Sequence, residues 1–308
     1  MPRILPRGEI EGLDHTSIPR LRLPNPHSIF KERGQRLLHL AADHPAQTYL
    51  QLMAELSAAQ HQALQTLSSP VIDEQHIAHA LQHGMPPLLS SAWQRDPDWQ
   101  KIMATLLQTL ASSNTVPTAA QEIAAQLLHQ LKHEPEVIEA LADAVLTQQL
   151  ARGDSGKAAF IMAALQVYWT HLASALSHEH IPLNTPFGVC PCCGSLPVSS
   201  IVRVGGSADG CRYLSCPRCS VEWHVVRVTC THCESTDGIF YHGIEDGPAG
   251  IKAESCDSCH TYRKIFYQKD QLHVDPVADD LASLALDMLM GEAGYERSSG
   301  NPLLWQEP

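Results

Sequence analysis

The sequence predicts an α+β protein: an irregular all-α N-terminal region, then two tandem metal ribbons, then a C-terminal helix. Three observations carry this. From Pro26 to Ser177 apolar residues recur at helical spacing with few β-branched runs. All ten cysteines of the 308 residues lie between Cys190 and Cys259, eight of them in four C-x-x-C pairs. The four pairs form a duplication, so that every ligand position n has a partner at n+40. The expected boundaries are 1–186 for the helical domain, 187–229 and 230–270 for the two ribbons, and 271–308 for the last helix and tail.

In the helical region the clearest start is Asp96-Pro97, a capping residue followed by proline, ahead of a stripe of Trp99, Ile102, Met103, Leu106, Leu107 and Leu110. Similar stripes run through Leu37 and Leu38, through Leu50, Met53 and Leu56, through Ile123, Leu127 and Leu131, and through Ile138, Leu141 and Val145, giving six or seven helices in an irregular bundle. Met53, Met103 and Met162 read as core filling. Ala158 to Ser177 carries no full charge, but Gln166, Thr170, His171 and Ser174 interrupt it, so it reads as a buried helix and no membrane insertion is expected. His76, His79 and His83 share a helix face without a carboxylate or cysteine to join them, and read as solvated or hydrogen-bonded histidines. Nothing resembles a nucleophile elbow, a P-loop or a dinucleotide turn.

The ribbons follow from the cysteine spacing. Twenty-two residues separate Cys190/Cys193 from Cys216/Cys219, and twenty-two again separate Cys230/Cys233 from Cys256/Cys259. A C-x-x-C knuckle turns two thiolates toward one point, and a hairpin brings a second knuckle opposite to complete a tetrahedral S4 site for zinc or iron. Val198–Val204, Arg212–Ser215 and Trp223–Val228 supply strands in the first copy, with Gly205-Gly206 as a turn; Ile239–Tyr241 and Ile265–Tyr267 match them in the second. Disulfides would need an oxidising compartment, and four evenly repeated pairs do not fit a single redox dithiol. A cross-braced pairing of alternate knuckles stays open, although the duplication favours a complete site in each copy.

Cys190-Pro-Cys-Cys193-Gly194 matches a rubredoxin-type C-P-x-C-G knuckle, whose glycine permits positive φ, whereas the other knuckles carry Ser220, Glu234 and His260 there. These departures permit zinc beside iron. Of the two remaining cysteines, Cys211 reads as a small apolar residue and Cys192 as an outward-facing residue at a loop tip. The tips around Cys192, Arg218 and His232, with Lys252 and Glu254 near the fourth knuckle, are the expected contacts for a partner.

The last element is a helix from Val277 to Met290 that packs through Leu281, Leu284, Leu286 and Leu289, with Asp279 and Asp280 at its positive end. Those two acids are the remaining candidates for a partner surface. With 21 Lys and Arg against 33 Asp and Glu, the net charge of -12 argues against a nucleic-acid partner. The first ribbon alone is positive, at +2, and the second is -3. The opening M-P-R-I-L-P-R-G-E-I has no apolar stretch behind its basic residues, so the expected location is the cytoplasm.

The strings C-P-C-C-G-S-L-P-V-S-S at 190, R-Y-L-S-C at 212, E-W-H-V-V-R-V-T-C at 222, I-K-A-E-S-C-D-S-C at 251, V-A-D-D-L-A-S-L-A-L-D at 277 and G-Y-E-R-S-S-G-N-P-L-L at 294 resemble the FdhE family of formate dehydrogenase accessory proteins. In the helical region R-G-Q-R-L and A-A-L-Q-V-Y-W resemble it more loosely. The resemblance implies a non-enzymatic maturation factor that binds the formate dehydrogenase catalytic subunit before export, with iron in its C-x-x-C sites. A rubredoxin-like electron-transfer role toward the client's cofactor is the alternative. A zinc-ribbon nucleic-acid adaptor is a third class, which the overall charge disfavours.

Overall fold

The structure, a computed structural model, describes residues 18–151, 153–183 and 185–304; the opening decapeptide lies outside them. Seven α-helices precede the cysteines among the described residues: α1 Ile29–Ala41, α2 Gln47–Gln65, α3 Glu74–Gln82, α4 Asp98–Ala111, α5 Thr118–His133, α6 Pro135–Leu146 and α7 Ser155–Ser174. The expected stripe of α4 is buried along its whole length. Its start falls one residue later than the sequence suggests, and the Asp98 N–H donates to Asp96 Oδ1 at 2.8 Å. Helix α7 is apolar on all sides and buried nearly throughout, as befits the centre of a bundle. Its polar interruptions are satisfied: Gln60 Nε2 donates to Gln166 Oε1 at 2.8 Å, and Gln166 Nε2 donates to the Pro217 carbonyl at 2.7 Å. No helix among the described residues is long and apolar enough to cross a membrane.

The two ribbons form one sheet. Strands β2 Ser199–Val202, β3 Arg212–Ser215 and β4 Glu222–Val225 make an antiparallel meander, extended at its edge by β1 Leu21–Arg22. Strands β5 Ile239–His242, β6 Ile251–Cys256 and β7 Thr261–Tyr267 repeat the meander forty residues later. Parallel pairing of β2 with β7 fuses the copies in the order β1-β4-β3-β2-β7-β6-β5. A short β8 Glu296–Arg297 pairs with the start of β7.

The expected C-terminal helix is two pieces, α8 Ala278–Leu281 and α9 Leu284–Glu292. The break has a chemical cause. The buried Lys264 ammonium donates to the carbonyls of Asp280 and Ser283 at 2.8 and 3.2 Å, and the former is the acceptor a continuous helix would offer to residue 284. Leu281 and Leu286 are buried as expected, whereas Leu289 is exposed.

A single hydrophobic core runs through the helices and the first ribbon: Leu88, Trp99 and Trp169 share it with Cys190, Val198, Leu214, Val221 and Trp223, and with Val277 and Leu281 of the C-terminal segment. In the second ribbon Ala253 and Tyr262 pack in a separate small cluster with Leu286 and Met290 of α9, and Phe266 packs with Ile201 and Tyr213 of the first ribbon.

Candidate metal centres

Each knuckle is a tight backbone loop. In the first, the Gly194 N–H donates to the Cys190 carbonyl at 2.8 Å and the Cys190 N–H to the Ser195 carbonyl at 2.8 Å; Glu234, Cys230 and Ser235 repeat both bonds in the third. The sulfurs gather sequentially, Cys190, Cys193, Cys216 and Cys219 in one group and Cys230, Cys233, Cys256 and Cys259 in the other, each within 4.8 Å. The Sγ···Sγ separations are 3.5 Å for Cys190–Cys219, 3.4 Å for Cys193–Cys216, and 3.7 Å for both Cys230–Cys259 and Cys233–Cys256. A tetrahedron of metal–sulfur bonds about 2.3 Å long has edges of about 3.8 Å. All ten cysteines are free thiols, so the arrangement fits a tetrathiolate metal and not a disulfide. Backbone N–H groups of Arg218 and Cys219 point at Cys216 Sγ, both at 3.4 Å, and those of His232 and Cys233 at Cys230 Sγ, at 3.4 and 3.5 Å. Such donors stabilise thiolate charge, as zinc or iron ligation requires.

All four knuckles place the residue after their second cysteine in the left-handed region, at φ 74° for Gly194, 58° for Ser220, 63° for Glu234 and 52° for His260. Sequence alone expects this only where glycine stands. The other three adopt it against a cost of about 1–2 kcal/mol each, so the loop geometry is imposed by closure of the site and not by the residue.

The two centres differ in burial. The first set is buried at every sulfur, whereas Cys233 is exposed and Cys259 half-buried. Burial pushes the Cys190 and Cys219 thiols well up. At Cys193 burial pushes the same way, but S–H donors from Cys190, Cys216 and Cys219 and the Arg218 charge overturn it, and that thiol lies well below its ordinary value. In the second set burial raises Cys230 to about 12, while at Cys259 the Thr261 hydroxyl and N–H and the Cys233 and Cys230 thiols outweigh burial and bring it to about 7. One sulfur in each tetrad is therefore the first to ionise.

Among the expected partner contacts, His232 and Lys252 are exposed. The others are not open surface, which corrects their expected exposure. Cys192 is fully buried, and its carbonyl accepts from the Leu88 N–H at 2.9 Å because the first knuckle docks onto the loop between α3 and α4. Arg218 is half-buried, hydrogen-bonds Ser90 and lies 5.7 Å over the Trp169 ring. Glu254 is buried between Arg212 Nη2 and the Tyr241 hydroxyl, each at 2.7 Å. Asp279 and Asp280 are fully buried: Arg36 holds the first at 2.6 Å, and Arg297 at 2.5 Å and Lys264 at 3.3 Å hold the second. Their role at a helix start is thus secondary to ion pairs that tie α1 and β7 to the C-terminal segment.

Sequence reading missed these buried cations. The available signal was Arg263-Lys264, two adjacent charges inside the apolar strand T-Y-R-K-I-F-Y, which only a strand buried on both faces would need to pair. Arg263 lies behind the second centre and donates to Thr231 Oγ1 at 2.8 Å, Ser299 Oγ at 2.6 Å and the Pro197 carbonyl.

Comparison with known proteins places this architecture. Family models described as FdhE N-terminal, FdhE central domain and FdhE C-terminal domain match residues 18–185, 189–227 and 228–304. The chain is 40% identical over 308 residues to a Protein FdhE homolog of Edwardsiella ictaluri, covering 98% of both chains. It is 37% identical over 311 residues to Protein FdhE of Escherichia coli O1:K1, covering 98% of this chain and 97% of that one. The crystal structure of the FdhE protein from Pseudomonas aeruginosa superposes with a TM-score of 0.82 at 37% identity, over 93% of this chain and 99% of that one.

Proposed function

The chain belongs to the FdhE family, and from that membership we propose that it is a cytoplasmic, non-enzymatic accessory protein for formate dehydrogenase that binds the catalytic subunit before export. In this reading the tetrathiolate centres hold iron, with zinc as the competing ion, and metal-filled ribbons keep the client-binding surface in shape. The carrying observation is the unequal setting of two centres with equal ligation. The first is sealed against the helical bundle, which suits a structural fastener. Around the second, His232, Glu234, Asp257, Ser258 and His260 form an exposed polar rim beside an exposed ligand, Cys233. That rim is the surface we assign to the client.

The test is capture of the cognate catalytic subunit by wild-type protein and by Cys230→Ser with Cys233→Ser, each with its metal content measured. Capture by wild type and its loss in the variant, with the helical melt retained, supports the reading. Full capture by a variant whose second centre is empty refutes it. The exposure of Cys233 also favours a second reading, electron transfer through an iron centre near the surface; a reversible potential in the loaded protein that Cys233→Ser abolishes would support it.

A further inference from the structure

The sheet has two ends, and among the described residues only one of them is covered. At the first, β1 lies along β4, with Leu21 opposite Trp223 and Arg22 opposite Glu222. At the other stands β5, paired with β6 alone. In the first copy the matching strand, β2, has its second side filled by β7 in parallel. Of the six repeat strands, β5 is therefore the one whose outer side the fold leaves open. The Asp257 N–H donates to the Gly238 carbonyl at 2.9 Å, one step before Ile239 meets Cys256 in the same register. Backbone groups alternate along an antiparallel pair, so Phe240 and His242 turn theirs to β6 while Ile239 and Tyr241 turn theirs outward. No partner meets those outward groups among the described residues.

Side chains hold this edge ready for a strand. The Tyr241 hydroxyl donates to Glu254 Oε2 at 2.7 Å, and His242 Nε2 lies 2.8 Å from Ser255 Oγ, both on β6. The lysine or proline that commonly protects an edge is missing from I-F-Y-H. Instead Phe240 is 52% exposed, with Tyr241 and Ile244 exposed beside it. Charge selects what can lie there. Residues 230–250 hold Glu234, Asp237, Glu245 and Asp246, all exposed, and no Lys or Arg. Among the described residues none of these four acids is in an ion pair. A second copy laid antiparallel on β5 would set the acids at one end of the strand against those at the other, so like charges oppose self-pairing. The geometry points to a docking edge for an extended basic segment of polypeptide, which joins the sheet as a strand beside β5 and sets its Lys or Arg side chains against those acids. The inference is independent of the client reading, since it concerns a strand edge beyond the knuckle rim and uses no metal ligand.

The experiment is a titration of full-length, metal-loaded, isotope-labelled protein with a blocked octapeptide of alternating valine and arginine. Binding at about 100 μM is expected, with hydrogen exchange slowed at the Ile239 and Tyr241 amides. The same peptide with every backbone amide N-methylated keeps its charge and loses its donors, and an alternating valine and glutamate peptide keeps its donors and reverses its charge. Each should bind at least about tenfold more weakly. Glu245→Lys with Asp246→Lys should weaken the basic peptide by about tenfold. Ile239→Pro, which removes an outward donor and spares the ladder to β6, should weaken it similarly; the amide readout on wild-type protein decides the matter whether or not that variant folds. No binding, binding that leaves both amides unchanged, equal binding of either control peptide, or full binding by the charge variant or by folded Ile239→Pro overturns the assignment. Protection of the two amides on concentrating the protein alone, without peptide binding, also overturns it and gives the edge to a second copy.

Discussion

Removing the first metal centre should weaken the helical bundle, although no ligand comes from it. In Cys190→Ser with Cys193→Ser the first ribbon loses its closure, and with it the contacts that seal the loop between α3 and α4. Among the hydrogen bonds between the first ribbon and the helical region are three to backbone carbonyls, Leu88 N–H to Cys192 at 2.9 Å, Ser90 N–H to Cys193 at 3.2 Å, and Gln166 Nε2 to Pro217 at 2.7 Å. At about 1 kcal/mol net each they contribute about 3 kcal/mol. Partial re-exposure of Leu88 and Trp169, both now fully buried, adds about 1.5–3 kcal/mol apiece at full exposure. Halving the sum of about 6–9 kcal/mol for collapse of the loop onto the vacated face leaves about 3–4.5 kcal/mol.

For a helical region of this size each kcal/mol moves the melting midpoint by about 2–4 °C, so a fall of about 10 °C is expected in the circular dichroism melt at 222 nm. The matching Cys230→Ser with Cys233→Ser variant should shift the helical melt by less than half as much, because Ala253 and Tyr262 of its ribbon pack in a cluster apart from the core shared with the helices. Metal analysis must confirm that only the targeted site is empty. A helical melt in the first variant within about 2 °C of wild type, with that site empty, would refute the shared core as an energetic unit.

Other consequences follow from single residues. A chelator should strip the second centre first, since Cys233 is exposed and every sulfur of the first is buried; stopped-flow release with one fast and one slow phase, the fast phase lost in the second-site variant, checks this. Glu234→Gly relieves a left-handed side chain and should stabilise the second centre by about 1 kcal/mol in metal competition, whereas Gly188→Ala should destabilise, because a Cβ there would lie 2.4 Å from the Thr231 carbonyl oxygen. In metal-free protein iodoacetamide should label Cys259 earliest among the second-site thiols, with a rate rising through a midpoint of about pH 7. Asp280→Asn leaves Lys264 and Arg297 short of charge in a buried site and should cost about 3–5 kcal/mol in denaturant melts. Burial pushes the Asp280 carboxyl up, but Lys264 and Arg297 overturn this and hold it low. Its contribution is therefore present above the ordinary carboxylate range and is lost only as pH falls through the depressed native value.

The legible features were those that local chemistry decides. The C-x-x-C spacing gave the four knuckles, and the +40 repeat gave two sulfur clusters and matching strands, because ligand positions and turns recur in the chain itself. Trp99 to Leu110 announced α4 by period alone. What could not be read is what packs against what. The tip at Cys192 is polar-looking in sequence because a free ribbon would expose it; it is buried because the loop at Leu88–Ser90, a hundred residues earlier, closes over it. Likewise Asp279 and Asp280 look like helix-start acids, and only the arrival of Arg36, Lys264 and Arg297 from distant segments makes them buried partners. The fusion of the ribbons through β2 and β7 is a pairing between non-adjacent strands, which no hairpin signal encodes.

The duplication explains why equal ligation ends in unequal settings. The cross-strand pair Leu214 and Trp223 of the first copy becomes Glu254 and Arg263 forty residues later, at the same register on the same strands. The apolar pair joins the core shared with the helices, whereas the charged pair cannot take such a cover and is instead met by polar groups, Arg212 and Tyr241 on Glu254, Thr231 and Ser299 on Arg263. Arg212 belongs to the first copy, so the buried Glu254 is paired by a residue from across the β2–β7 junction, while the buried Lys264 is paired by Asp280 and Asp287 of the C-terminal segment. Each copy therefore depends on a neighbour chosen by two side chains. The first depends on the bundle, which closes over its knuckle, and the second on the first copy and the C-terminal segment, which leave its knuckle open to solvent.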